Sequence, residues 1–140
     1  MKRTNHSDWR ITNTEEVVQC RVVRWEYLND QGKLFGGDVL KWMDEVAYLA
    51  ASRFTGQVMV TAAIEKVKFR QAIPPGSWIT VKGKVVDAGA VRVTVSVEVI
   101  AEKIPDHPSG KAVDGIFTFV AVDETGHLIR VTRAGDIGQL

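Results

Sequence analysis

Little in this 140-residue chain offers covalent or metal-based chemistry. It holds one cysteine, Cys20, so no disulfide can form within the chain and a zinc site built mainly on thiolates is excluded. The three histidines, His6, His107 and His127, are too far apart in sequence to make a helical metal-binding pair. Charge of one sign is also lacking, since 18 Lys and Arg face 17 Asp and Glu for a formal net charge of +1. Nucleic-acid binders draw affinity from a basic face that neutralises phosphates, and no run of Lys and Arg supplies one. No stretch approaches the roughly 20 apolar residues that cross a bilayer, and Met1-Lys2-Arg3 leads into polar residues rather than a signal peptide's apolar core. The expectation is a soluble cytoplasmic protein with no metal, nucleic-acid or membrane partner.

With 45% hydrophobic and 25% charged residues, the composition is that of a globular chain, and its length suits a single domain over 1–140. Residues 1–13 are polar apart from Trp9 and Ile11 and read as a loosely held arm. Val17 to Trp25 is rich in β-branched residues with apolar positions on both faces, which predicts a well-buried strand. Turn formers cluster at Asn29-Asp30-Gln31-Gly32. From Gly37 to Phe54 the period becomes helical, with Gly36, Leu40, Met43, Ala47, Ala50 and Phe54 in one stripe; Asp38 and Arg53 complement the dipole and Gly56 is the expected stop. Strands are then expected over Val58–Arg70, Trp78–Val86, Val91–Val99 and Ile116–Val122, the third with its valines alternating against Arg92, Thr94, Ser96 and Glu98; a proline-bearing loop at 105–110 separates the last two. Strand, long helix and four strands read as an α+β fold with one helix laid on an antiparallel sheet.

One carboxylate is out of place on the helix. At about 100° per residue, Asp44 lies beside Leu40, Ala47 and Ala51 at the edge of the apolar stripe, whereas Lys41, Glu45 and Ser52 occupy the polar side. A half-buried carboxylate either forms a structural pair or serves as a base or nucleophile. Gly36-Gly37, just ahead, either permits a tight turn or lets a ligand oxygen approach the free N–H groups of the helix N-terminus as an oxyanion hole. Asn29 either closes its turn or takes part in that site.

The run Asn29-Asp30-Gln31-Gly32-Lys33-Leu34-Phe35-Gly36-Gly37-Asp38-Val39-Leu40-Lys41-Trp42-Met43-Asp44-Glu45-Val46-Ala47, continued by Ala50-Ala51-Ser52-Arg53, closely resembles the signature of the cytosolic acyl-CoA thioester hydrolases of the hot-dog fold. So do Val60-Thr61, the segment from Phe69 to Gly76, and Phe117-Thr118-Phe119-Val120-Ala121-Val122-Asp123, so that the resemblance covers roughly Val17 to Val131. It implies a helix wrapped by its sheet, and protomers paired as homodimers with sites at the shared interface, trimers of dimers being the further assembly to test. Residue by residue, it implies that Asp44 is the catalytic carboxylate, that Asn29 assists it, from the same or another protomer, and that the backbone N–H of Gly37 polarises the thioester carbonyl. Coenzyme A would be part of substrate and product, with no separate cofactor. Its pantetheine arm and nucleotide would lie along Val60, Thr61 and the turn Gly89, Ala90 and Arg92; Arg53, Lys82, Lys103, Arg130 and Arg133 are further candidates for its phosphates on charge alone.

The chemistry is sufficient without a histidine acid, because a thiol with a pKa near the cysteine value of about 8.5 departs as thiolate. Asp44 would either deprotonate water or attack the carbonyl itself. Two rivals share the fold. A hot-dog dehydratase generally needs a histidine, and none occurs between Asp8 and Asp106. An acyl-CoA-binding regulator would normally carry a DNA-binding segment, for which 13 polar residues are too few.

Overall fold

The computed structural model describes residues 16–102 and 110–134, and the expected arm over 1–13 and most of the expected loop over 105–110 lie outside them. The elements are β1 (Val17–Val22), a 3-10 turn (Trp25–Tyr27), α1 (Gly36–Thr55), β2 (Met59–Phe69), β3 (Trp78–Ala88), β4 (Val93–Glu102), β5 (Gly110–Val122) and β6 (Leu128–Ile129). All strand pairs are antiparallel. The sheet order is β1-β3-β4-β5-β2, and β6 folds back on β5, where Ala121 faces Ile129 on one side and Met59 of β2 on the other.

The helix is the centre of the core. Val39, Trp42, Met43, Val46, Ala47, Ala50, Ala51 and Phe54 are buried along it, and the sheet answers with the inward set Ile79, Val81, Val85, Val93, Val95, Val97, Val99, Phe117 and Phe119. The valine alternation of β4 thus lies as expected, with all four of its valines fully buried. Close approach of helix to sheet occurs at Gly83 of β3, where an added Cβ would sit 2.9 Å from Val46 Cγ1 and 3.5 Å from the Val46 carbonyl oxygen. Gly56 caps the helix in the left-handed conformation, donating its N–H to the Ser52 carbonyl.

Four expectations need correction. The helix runs from Gly36 to Thr55, one residue beyond the expected Gly37 to Phe54 at each end. The first strand is not buried on both faces: it ends at Val22, its residues alternate, Val18 and Val22 are exposed, and Trp25 stands 80% exposed in the 3-10 turn. β1 pairs with β3 alone, so as an edge strand it has one face on the core and one in solvent. Val91 belongs to the exposed β3–β4 turn rather than to β4. Finally, among the described residues five strands follow the helix, the extra one being β6, and the strand expected at Ile116 begins at Gly110.

Candidate functional site

The loop before the helix is built on Asn29. Its Oδ1 accepts from the backbone N–H groups of Gln31 (2.9 Å) and Lys33 (3.0 Å), and its own N–H donates to the Lys33 carbonyl at 2.7 Å. Asn29 therefore does close its turn, and only its Nδ2 is left to serve anything else. The loop is then pinned by Phe35 N–H to the Tyr27 carbonyl (2.8 Å) and Leu34 N–H to the Ile73 carbonyl (2.9 Å). Phe35 is the N-cap residue, with no side-chain cap, and its carbonyl accepts from Asp38 and Val39. No described residue accepts from the N–H of Gly36 or Gly37. A Cβ at Gly37 would meet the Phe35 ring at 2.8 Å, and one at Gly36 would meet the Phe69 ring at 3.4 Å. Both rings are half exposed, so the helix start that carries the two free N–H groups is flanked by aromatic side chains reaching solvent.

Asp44 is half-buried, as its place on the helix wheel predicts, and its Oδ1 accepts a hydrogen bond of 2.9 Å from Thr61 Oγ1 on β2. It opens on a cavity of about 380 Å³ lined by Gln19, Asp44, Glu45, Tyr48, Leu49 and Thr61. The cavity uses the flank of the helix, closed by β1 through Gln19 and by β2 through Thr61. Glu45, read from sequence as lying on the polar side, stands on the same wall, held by Arg21 Nη2 at 3.2 Å. Arg21 is itself placed by its guanidinium lying 4.7 Å from the Trp42 ring centroid, and Tyr27 meets that ring edge-on at 5.0 Å.

The predicted site residues are only partly brought together within one chain. Thr61 joins Asp44, while Val60, its neighbour on the strand, is exposed. Asn29 does not line the Asp44 cavity. Gly37 precedes Asp44 by seven residues on one helix, which separates them by about 10 Å at 1.5 Å per residue. Asp44 and the Gly37 N–H of one chain thus stand at separate points along the helix. Gly89, Ala90 and Arg92 form the β3–β4 turn, with Gly89 N–H donating to the Arg92 carbonyl and Ala90 accepting from Val131, both at 2.9 Å. The register row Ala88, Val93, Phe119, Thr61 puts that turn at the Thr61 end of the sheet, three strand spacings or about 14 Å across. His127 is bonded to Thr125 in the β5–β6 turn and does not line the cavity. The sequence reading missed Gln19, Tyr48 and Leu49 as cavity residues; Tyr48, one turn beyond Asp44, could have been found from its helical spacing.

The model of the thioesterase superfamily matches residues 31–106. An acyl-CoA thioester hydrolase of Haemophilus influenzae is 31% identical over 108 residues, 75% of this chain and 70% of that protein. The chain also matches longer mouse thioesterases, of which the matched stretch is less than a fifth. Among solved structures, an acyl-CoA hydrolase from Bacillus cereus superposes with a TM-score of 0.80 at 30% identity, covering 84% of this chain and 72% of that one. A hexameric acyl-CoA thioesterase gives the same TM-score and identity, covering 84% and 76%. With the helix-on-sheet architecture described above, these matches show that the chain belongs to the thioesterase superfamily, among the acyl-CoA thioester hydrolases of the hot-dog fold.

Proposed function

We propose that the protein hydrolyses acyl-CoA thioesters to free carboxylic acid and coenzyme A, without a cofactor, at sites shared between two copies of the chain. The observation that carries this reading is a half-buried Asp44 carboxylate, oriented by Thr61, on the wall of an open cavity. In this account Asp44 of one protomer activates water, or attacks directly, while the Gly37 N–H at the other protomer's helix N-terminus donates to the developing oxyanion. Asn29, in the loop leading to that same N-terminus, donates from its free Nδ2. Water attack adds oxygen to the carbonyl carbon, the C–S bond breaks, and the thiolate takes up the proton that Asp44 removed.

The roughly 10 Å between Gly37 and Asp44 supports division of the site between protomers. So does β2, a sheet edge carrying exposed Val60, Ile64 and Phe69, which a second copy would cover. The similar hexameric thioesterase fits self-association. Pantetheine along Val60 and Thr61, and the nucleotide at Gly89, Ala90 and Arg92, complete the substrate path. No described helix is long and apolar enough to cross a membrane. A series of acyl-CoA esters of rising chain length, assayed by free-thiol release, tests the activity: release above the buffer rate is expected, and its absence across the series would leave a binding protein. A solution mass of a single chain at micromolar concentration would remove the shared site.

A further inference from the structure

We infer that Gln19 makes the cavity beside Asp44 selective for acyl chains carrying an uncharged oxygen, such as a 3-hydroxyacyl group, over plain alkyl chains of equal length. The inference rests on the thioesterase reading above. Gln19 stands on β1, and its side chain lines the cavity with Asp44 and Tyr48. Its orientation is set by chemistry: Arg21 Nε donates to Gln19 Oε1 at 3.2 Å, and because a guanidinium has no acceptor, the amide oxygen must face Arg21. Arg21 is in turn held by Glu45 and by the Trp42 ring. The carboxamide Nε2 is thereby turned away from Arg21, and no described residue accepts from it.

In the inferred arrangement that N–H meets the acyl chain: a plain alkyl chain would strip water from it and return no hydrogen bond, whereas an oxygen on the acyl chain would replace the lost one. The oxygen must be uncharged. Asp44 and Glu45 put two carboxylates on the wall, and the nearby cation, Arg21, is already committed to Glu45. In the proposed path pantetheine enters over β2, and the acyl group reaches across the cavity from Thr61 to the wall that Gln19 lines on β1.

The test compares kcat/KM for butyryl-CoA and 3-hydroxybutyryl-CoA in wild type, Gln19→Leu and Gln19→Glu, with thermal melts to confirm folding. Gln19→Glu keeps an acceptor toward Arg21 and removes the N–H donor. The wild type is expected to favour the hydroxylated ester by about five- to tenfold, as one neutral hydrogen bond allows. Both variants are expected to bring that ratio to one or below. A wild-type ratio near one overturns the inference, as does a ratio that both folded variants preserve. An equal loss on both esters also overturns it and assigns Gln19 to pantetheine. Hydrolysis of butyryl-CoA without preference would leave the thioesterase reading standing, whereas thiol release from neither ester overturns both.

Discussion

Asp44 was legible in the sequence because a lone carboxylate at the edge of an apolar helical stripe breaks the pattern around it. Its partner was not. Thr61 lies 17 residues on, and the register that places it against the helix flank comes from β2 pairing with β5, a long-range property that spacing does not carry. Asp44→Asn keeps the shape of the side chain and can still accept from Thr61, but loses the negative charge. A fall in kcat of at least about a hundredfold is expected, the lower end for a positioned general base, with an unchanged melting temperature. Asn29 closes its turn without using its whole side chain. Its Oδ1 organises the turn through Gln31 and Lys33, which leaves Nδ2 for the proposed role at the reaction. Asn29→Asp retains the turn acceptor and should keep the wild-type melting temperature, while slowing kcat by about ten- to a thousandfold through loss of the donor. Asn29→Ala should lower both. Full turnover in folded Asn29→Asp would confine the residue to its turn.

At the scale of elements, the helix and β4 could be read directly because each has one clean period, whereas the sheet edges could not. β1 carries apolar residues on both faces and so reads as central, yet strand order makes it an edge, and nothing local encodes strand order. β2 is interrupted by a bulge in which Lys66 adopts a φ of 57°, an unusual conformation for a residue with a Cβ, while Val67 packs against Gly115 of β5. Beyond this bulge β2 and β5 are tied by the hydrogen bond from Arg70 to Asp114. That bond is the largest influence on the Asp114 carboxyl and, with the charges of Arg70, Lys111 and Lys68, holds it below its ordinary value of 3.8 against the opposing effect of burial. A carboxyl depressed in the folded state adds stability that is complete above its unfolded value and is lost as pH falls through its folded one. The melting temperature of Asp114→Asn should therefore lie below wild type at neutral pH, and the difference should close progressively below about pH 4. A constant difference down to strongly acid pH would mean that the ion pair is not its source. Gly83 is the second element-scale determinant. Gly83→Val would drive methyl groups into Val46 and the helix backbone, and a loss of about 1–3 kcal/mol in denaturant unfolding is expected for such overpacking.

The whole molecule follows from what one chain leaves incomplete. Its core is closed, with the helix buried on the sheet, while the Asp44 cavity lies on the helix flank and the free N–H groups of Gly36 and Gly37 stand about two turns away at the helix start. That separation supports the proposed site shared between two copies. The proposed division makes the account testable by mixing two variants that are each impaired. Asp44→Asn and Asn29→Ala chains, unfolded together in equal amounts and refolded, should form mixed dimers in half of all pairings. Each mixed dimer would hold one intact site of two, so thiol release should recover to about a quarter of the wild-type rate, far above either variant refolded alone. A mixture no more active than the average of the two separate variants, with subunit exchange confirmed by mass, would contradict a site built from Asp44 of one chain and Asn29 of the other.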